Sequence, residues 1–580
     1  MDQAPVSPLH RGGSIGPVSL FAHRNVAVDA YGVHDISNLY CGQTDRAFAL
    51  LLGSVPTVAN GTVQRWNEEP ERLVAWSTAP RLDEHNGAFI LLRITFDPAG
   101  GYQAQLSTDK YGFRTLYYVR EGSTLYVASH LSGLRGVLGE ERISPKALRH
   151  YYHFGVAPSE TTLIDGVKKV PAATVLTVNP GRVEGASYFD PLDLYEPGRY
   201  ADADADAISR EIDEYMTEAV SKRVSPGARV ALAVSGGVDS GYIAQKLKQA
   251  DVDFRGYNLA YGDYDEHDRV DQLATSLDLT IDRVQITAEE IIASFEASNA
   301  LGSEPVAFND AALRVLARRV RQDGFDVMWD GDGADRLFLG MNSHLKYQRV
   351  FTVYQLLQKV RLTDPLAQVL RWVGHPETRK LSTVLQGWSH GIPPYSERKY
   401  GAIKGFDAAF EEDIFELGVG SFWDSYLSRT ETFDLGVFLT YFSIKKCPEN
   451  FFRTPLEQQG FLGLMPVSPY WDDKLVSLAL SVPTRMKLRG SKTKYVLRKA
   501  AALQSSTRYW MLPKIGLDSA LACVRHAEAG KTWLARQRDR IVNSDEYHSL
   551  SQEVNEQKPD VDRLLPYLHW KEAHVGAAAL

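Results

Sequence analysis

The stretch Arg229-Val-Ala-Leu-Ala-Val234-Ser-Gly-Gly-Val-Asp-Ser240 decides how the chain is read: an apolar run, a bend of serine and glycine, then a helical pattern. A short continuous apolar run bounded by turn residues suits a strand buried on both faces, as in a parallel sheet. Gly236 and Gly237 let the backbone turn tightly and approach a ligand. Ser235, Ser240 and the first free amides of the following helix aim donors at an anion. The bend therefore reads as a phosphate cradle. Its spacing is neither the GxxxxGK[ST] of P-loops nor the GxGxxG of dinucleotide sites. The competing reading is a glycine-rich turn with no ligand.

Outward from this bend, 240–249 reads as a helix, 254–261 as a strand, 270–277 as a helix, 281–286 as a strand, 311–321 as a helix and 325–329 as a strand. Alternating strand and helix call for a doubly wound parallel sheet with helices on both faces, an α/β class. Beyond 341 the pattern is mostly helical, interrupted at Pro466 and Pro469. Up to about 190, apolar or alternating runs at 87–96, 102–106, 115–119 and 124–128 are separated by Gly and Pro, which fits a layered antiparallel sheet domain. The polar stretch 195–206, with its Asp/Ala alternation, marks the junction. The expected organisation is 1–195 and 196–580, with 341–447 a mostly helical elaboration of the second unit.

Composition agrees with more than one domain. The 580 residues include 64 basic and 72 acidic side chains, a net charge of −8, and are 44% apolar. Such a chain can bury sizeable cores and has no general attraction for nucleic acid or anionic lipid. Cys41, Cys447 and Cys523 stand in no metal-binding or disulfide-framework spacing, which reads as a reducing, cytoplasmic compartment. The first thirty residues carry no signal-peptide pattern, and no run of 18 apolar residues occurs, so neither export nor a membrane partner is expected.

Several segments together resemble a known family. The bend SGGVDS matches the SGGxDS of ATP pyrophosphatases. Asp330-Gly-Asp-Gly-Ala-Asp-Arg-Leu-Phe338, again after a strand, looks like the SGEGADELF segment of the asparagine synthetase superfamily. Asp109-Lys-Tyr-Gly-Phe-Arg-Thr-Leu-Tyr-Tyr118 and Tyr126-Val-Ala-Ser129 are similar to its RDxxGxxPLYY and FASE pieces, and Pro469-Tyr-Trp-Asp472, Lys494-Tyr-Val-Leu-Arg498 and Pro513-Lys-Ile-Gly516 follow in the family's order. The resemblance covers roughly 85–530. It implies an N-terminal glutaminase-like domain of the Ntn-hydrolase type, an ATP-pyrophosphatase domain, and a ligase that uses ATP and Mg²⁺ to form an acyl-adenylate.

The same resemblance assigns roles. Val234 and Leu259 would contact adenine; Ser235, Gly237 and Ser240, with Gly236 in the bend, the phosphates. Asp330 and Gly331 would line the nucleotide site. Asp239 and Asp335 would hold Mg²⁺, as hard oxygen ligands do. Lys514 matches a lysine on the pyrophosphate side, and Asp332 is a candidate base for the attacking amine. Alternatives stand beside these: Asp335 as a helix cap, Lys514 as a solvated loop lysine. Lys494 and Arg498, four apart, read as the surface face of an amphipathic helix. His150 and His153 lack a third ligand for a metal. The Trp and Tyr residues of 344–441 read as core or as the wall of a peptide groove.

Glutamine-dependent members of that family begin Met-Cys, whereas residue 2 here is Asp. The expectation is a glutaminase fold without its chemistry, and an amine supplied by the substrate, as in the lasso-peptide macrolactam synthetases and the β-lactam synthetases. Asp332 stands where β-lactam formers carry Tyr, which favours the former. The implied partners are a peptide or small-molecule carboxylate, and a precursor peptide with a leader-recognition protein and a protease. An ammonia-using asparagine synthetase, a small-ring former and a non-catalytic scaffold are the other readings.

Overall fold

In the computed structural model the run before the bend is a strand, Val230–Ala233, at the centre of a five-stranded sheet. The structure describes residues 18–23, 26–30, 39–44, 47–54, 70–373 apart from short gaps, 375, 378, 382, 425–430, 433–450, 453–504, 508–512, 519–553 and 561–575.

The N-terminal half carries a hairpin of β1 (Val18–His23) and β2 (Val26–Ala30) and two antiparallel sheets. One sheet has six strands in the order β11 (Arg182–Ser187), β10 (Thr174–Asn179), β6 (Tyr102–Thr108), β5 (Ala88–Phe96), β4 (Ala47–Ser54) and β3 (Leu39–Gln43). The other has β8 (Thr124–Ala128), β7 (Leu116–Glu121) and β9 (Lys168–Val170). Alternation along β5 explains the layers. Ile90 and Ile94 pack with Leu116 and Val170 between the two sheets, while Phe89 and Leu91 pack on Leu73 and Val74 of the helix Pro70–Ser77 on the outer face.

The second half is built on a parallel sheet in the order β14 (Ile281–Gln285), β13 (Phe254–Ala260), β12 (Val230–Ala233), β15 (Val327–Trp329) and β16 (Met465–Val467). Val230 and Leu232 face Ile212, Met216 and Tyr242 on one side, and Ala231 faces Leu316 and Val320 on the other. Both faces are thus covered, and the expected doubly wound α/β fold is the observed one. The extra strand β16 comes from the proline-marked interruption. Pro466 is tolerated because β16 lies at the edge of the sheet. A helix at Ala288–Leu301 was also unexpected, although Thr287 and Glu290 form a reciprocal capping box at its start.

The two halves touch next to the site described below. Lys110 pairs with Asp473, and the hydroxyl of Tyr111 donates to the same carboxylate at 2.6 Å. The Tyr111 ring packs on Trp471, centroids 5.2 Å apart. Among the described residues no helix is long and apolar enough to cross a membrane.

Candidate functional site

In an open parallel sheet, neighbouring connections that leave in opposite directions open a crevice at the carboxyl ends of the strands. Here β12 has β13 on one side and β15 on the other, so the turns after β12 and β15 border that crevice. The first is Val234–Gly237 and the second Asp330–Gly333.

Val234 is buried, its amide bonded to the carbonyl of Tyr257 at 2.7 Å and its carbonyl accepting from Asn258 at 2.8 Å. Ser235 is exposed at the crest of the bend, and its amide donates to the buried Ser240 hydroxyl at 3.1 Å. Gly236 has φ +69°, a region costly for other residues, and a Cβ there would meet the Val270 amide nitrogen at 3.1 Å. Its carbonyl accepts from the Tyr509 hydroxyl. Gly237 is the N-cap of the helix Val238–Gln249, which carries Asp239 in its first turn. The bend is open to solvent at Ser235 and braced below, as an anion cradle requires.

The second turn is pressed on the first. A Cβ on Gly331 would lie 2.8 Å from Cβ of Asp239, so only glycine lets the two turns meet. Asp330 is half-buried and its carboxylate accepts the Asp332 amide at 3.0 Å. Burial pushes the carboxyls of Asp330 and Asp332 above the ordinary range; Arg336 opposes this at Asp332, and Asp330 and Asp335 add to it. The carbonyl of Asp332 accepts from Ser468 at 2.6 Å, and Tyr470 donates to the carbonyl of Asp239 at 3.0 Å. The segment after β16 therefore ties both turns together.

Asp335 does not cap its helix. Gly333 occupies the N-cap of Ala334–Leu337, and the Asp335 carboxylate lies 2.5 Å from Nζ of Lys494. The same ammonium donates to both oxygens of Asp239, at 2.6 and 2.5 Å. The expected surface face is thereby corrected: Lys494 and Arg498 are buried, at 2% and 6% exposure. Lys494 takes φ +54° at the N-cap of Tyr495–Ala502, a conformation costing on the order of 1 kcal/mol or more, and the paired carboxylates hold it there. Burial opposes its charge, but Asp239 and Asp335 outweigh this and hold its ammonium above the usual lysine range. Arg498 donates to the carbonyls of Trp510, at 2.8 Å, and Leu512, at 2.7 Å. It so fixes the chain just ahead of 513–518, where Lys514 lies outside the described residues.

The structure thus brings Val234, Ser235, Gly236, Gly237, Asp330, Gly331 and Asp332 onto two adjoining turns, with Asp239, Ser240 and Asp335 in the first turns of the helices that follow. Leu259 lies near the end of the neighbouring strand β13. Sequence reasoning passed over Lys494. Its place in the KxxLR-like segment was the available signal, but spacing alone does not tell a buried lysine from a solvated one. Two carboxylates already sharing a cation make a donor set that suits a divalent ion with phosphate and water ligands. Elsewhere, Tyr354, Tyr426 and Tyr441 are buried, in line with the core reading, whereas Trp372 is 87% exposed.

A family model described as Asparagine synthase matches residues 211–417 and 463–549, together just over half of the chain. A second, described as Glutamine amidotransferase domain, matches 77–189. The chain is similar to "Asparagine synthetase [glutamine-hydrolyzing] 1" of Bacillus subtilis (strain 168), 22% identical over 404 residues, covering 68% of this chain and 62% of that protein. It is similar to a "Putative asparagine synthetase [glutamine-hydrolyzing]" of Mycobacterium bovis at 24% over 437 residues, 70% of this chain and 63% of the relative. "Amidase chry2" of Gibberella zeae is 25% identical over 256 residues, 40% of this chain and 37% of its own. The match therefore spans less than two thirds of the length of each of these relatives.

Proposed function

Since the chain belongs to the asparagine synthase family, we propose that it is an ATP-dependent carbon–nitrogen ligase that adenylates a substrate carboxylate and joins it to an amine of the same substrate. The observation that carries this is the convergence of Asp239 and Asp335 on one buried cation beside the solvent-open serine–glycine bend.

In the first step a carboxylate oxygen attacks the α-phosphorus of ATP, and the bond to the pyrophosphate oxygen breaks. Ser235, the bend amides and Lys494 provide donors and positive charge beside the phosphates. Donors fixed where negative charge develops are worth several kcal/mol in a site that excludes water, on the order of 3 each. Mg²⁺, held by Asp239 and Asp335, would neutralise phosphate charge. In the second step the amine attacks the acyl carbon, AMP leaves, and the amine's proton passes to a base. Asp332 sits on the turn beside Asp239, and its raised affinity for a proton suits that task. Lys514 is proposed to act on the pyrophosphate side.

The finer reading is macrolactam closure of a ribosomal, lasso-type peptide. Holding amine and acyl carbon together in one substrate would supply up to about 7–11 kcal/mol of the barrier. Such a reaction needs no ammonia from glutamine. This agrees with Cys41, which lies within β3 and whose thiol burial pushes up to about 11, and with Cys523, also raised by burial. A precursor peptide, a leader-recognition protein and a protease are the partners this reading calls for. The relatives are named asparagine synthetases, which favours a second reading, asparagine formation, here drawing on free ammonia rather than on the glutamine their names specify.

The test supplies ATP and Mg²⁺ with either aspartate and ammonium or a peptide bearing a ring-closing Asp or Glu. Pyrophosphate and product mass are followed. Loss of one water from the peptide supports macrolactam closure, and asparagine supports the second reading. No pyrophosphate from either, with no binding of Mg·ATP, removes the ligase assignment.

A further inference from the structure

One short stretch, 484–494, carries two buried lysines near the helix that holds Asp335. Lys494 takes the Asp335 carboxylate itself. Lys487 is completely buried and has no part in the chemistry above. Its Nζ donates at 2.7 Å to the hydroxyl of Thr440. That hydroxyl lies 2.8 Å from the carbonyl of Gly436 and 3.4 Å from the carbonyl of Leu337, the last residue of Ala334–Leu337.

The surroundings are rigid. Asp434 accepts from the amides of Gly436 and Val437, at 2.8 and 3.0 Å, and from the amide of Thr484 at 3.1 Å. A Cβ on Gly436 would meet Cδ1 of Leu339 at 2.9 Å, so the helix Leu435–Asn450 seats directly on the turn that follows Asp335. Burial lowers the Lys487 amine to about 7, with Asp434 pulling the other way, so the group is held at a cost that ordinary packing would avoid.

We propose that Lys487 is a positioning residue for the nucleotide site: by holding Thr440 it seats the helix Leu435–Asn450 on the turn after Ala334–Leu337, so that Asp335 meets Asp239 and Lys494. The inference rests on the reading of that site as one for Mg·ATP.

The experiment is calorimetric titration of the full chain with Mg·ATP, alongside thermal unfolding, for the wild type, Lys487→Met, Lys487→Arg, Thr440→Val and the Lys487→Met/Thr440→Val pair. The expected result is an affinity loss on the order of tenfold for Lys487→Met and for Thr440→Val, no further loss in the pair, and partial recovery in Lys487→Arg. Melting of Lys487→Met should fall little or rise, since a buried charge has gone. Wild-type affinity in Lys487→Met, or losses that add in the pair, would overturn the proposal while leaving the nucleotide site standing. If Lys487→Met does not fold, wild-type affinity in Thr440→Val overturns it alone. A wild type that does not bind Mg·ATP removes the site reading and the inference with it.

Discussion

Asp239 and Lys494 are joined by two contacts, 2.6 and 2.5 Å, although one opens the helix after β12 and the other stands at the N-cap of a helix near the far end of the domain. The pair places a positive charge at the base of the Ser235–Ser240 bend. It also fixes the first of the two carboxylates that face the crevice; Asp335 completes the group from the short helix Ala334–Leu337.

Replacing Lys494 by Met removes the ammonium that Asp239 and Asp335 share. Breaking one partner of a buried pair costs about 3–5 kcal/mol. Urea unfolding should register a loss of that size, and Mg²⁺ should restore more stability to the variant than it adds to the wild type. An equal effect of Mg²⁺ on both would show that the ion does not take the lysine's place.

Asp239→Asn should lower the affinity for Mg·ATP by at least about 100-fold and abolish ATP–pyrophosphate exchange, because a carboxylate shared with the cation site is lost. Retained exchange would remove Asp239 from nucleotide binding.

The folded chain holds the protons of Asp330 and Asp332 more tightly than the unfolded chain, because burial raises both. The sign follows. Their contribution to stability is complete below the ordinary carboxylate pKa and is lost as pH rises through the raised values. Unfolding free energies measured between about pH 4 and 8 should therefore fall less steeply for Asp332→Asn than for the wild type. Parallel curves would contradict the assignment.

Gly331→Ala forces a methyl to within 2.9 Å of the Ser240 amide nitrogen and 2.8 Å of Cβ of Asp239. A stability loss of roughly 1–3 kcal/mol and weaker Mg·ATP binding are expected, read by thermal unfolding and calorimetry. A variant that binds as well as the wild type would mean that the two turns need not touch.

Glutamine incubated with the protein should release no glutamate: among the described thiols, burial raises Cys41 to about 11 and raises Cys523 as well. Measurable glutamate would reverse that expectation.

Short-range patterns were legible along the chain: the apolar run into the Ser235–Ser240 bend, the alternation of strand and helix, and the period-two runs of the N-terminal sheets. These follow from backbone sterics and side-chain periodicity within a few residues. Which polar groups lose their water depends instead on long-range packing. Lys494 and Arg498 carry the spacing of a solvated helix face, and they are buried because Asp239, Asp335 and the carbonyls of Trp510 and Leu512 arrive from distant parts of the chain. The seat of β16 against β15 has the same origin, for a three-residue strand containing proline has no local preference strong enough to announce itself. Trp372 shows the reverse case: a large apolar side chain predisposed to burial stays exposed because no described neighbour covers it.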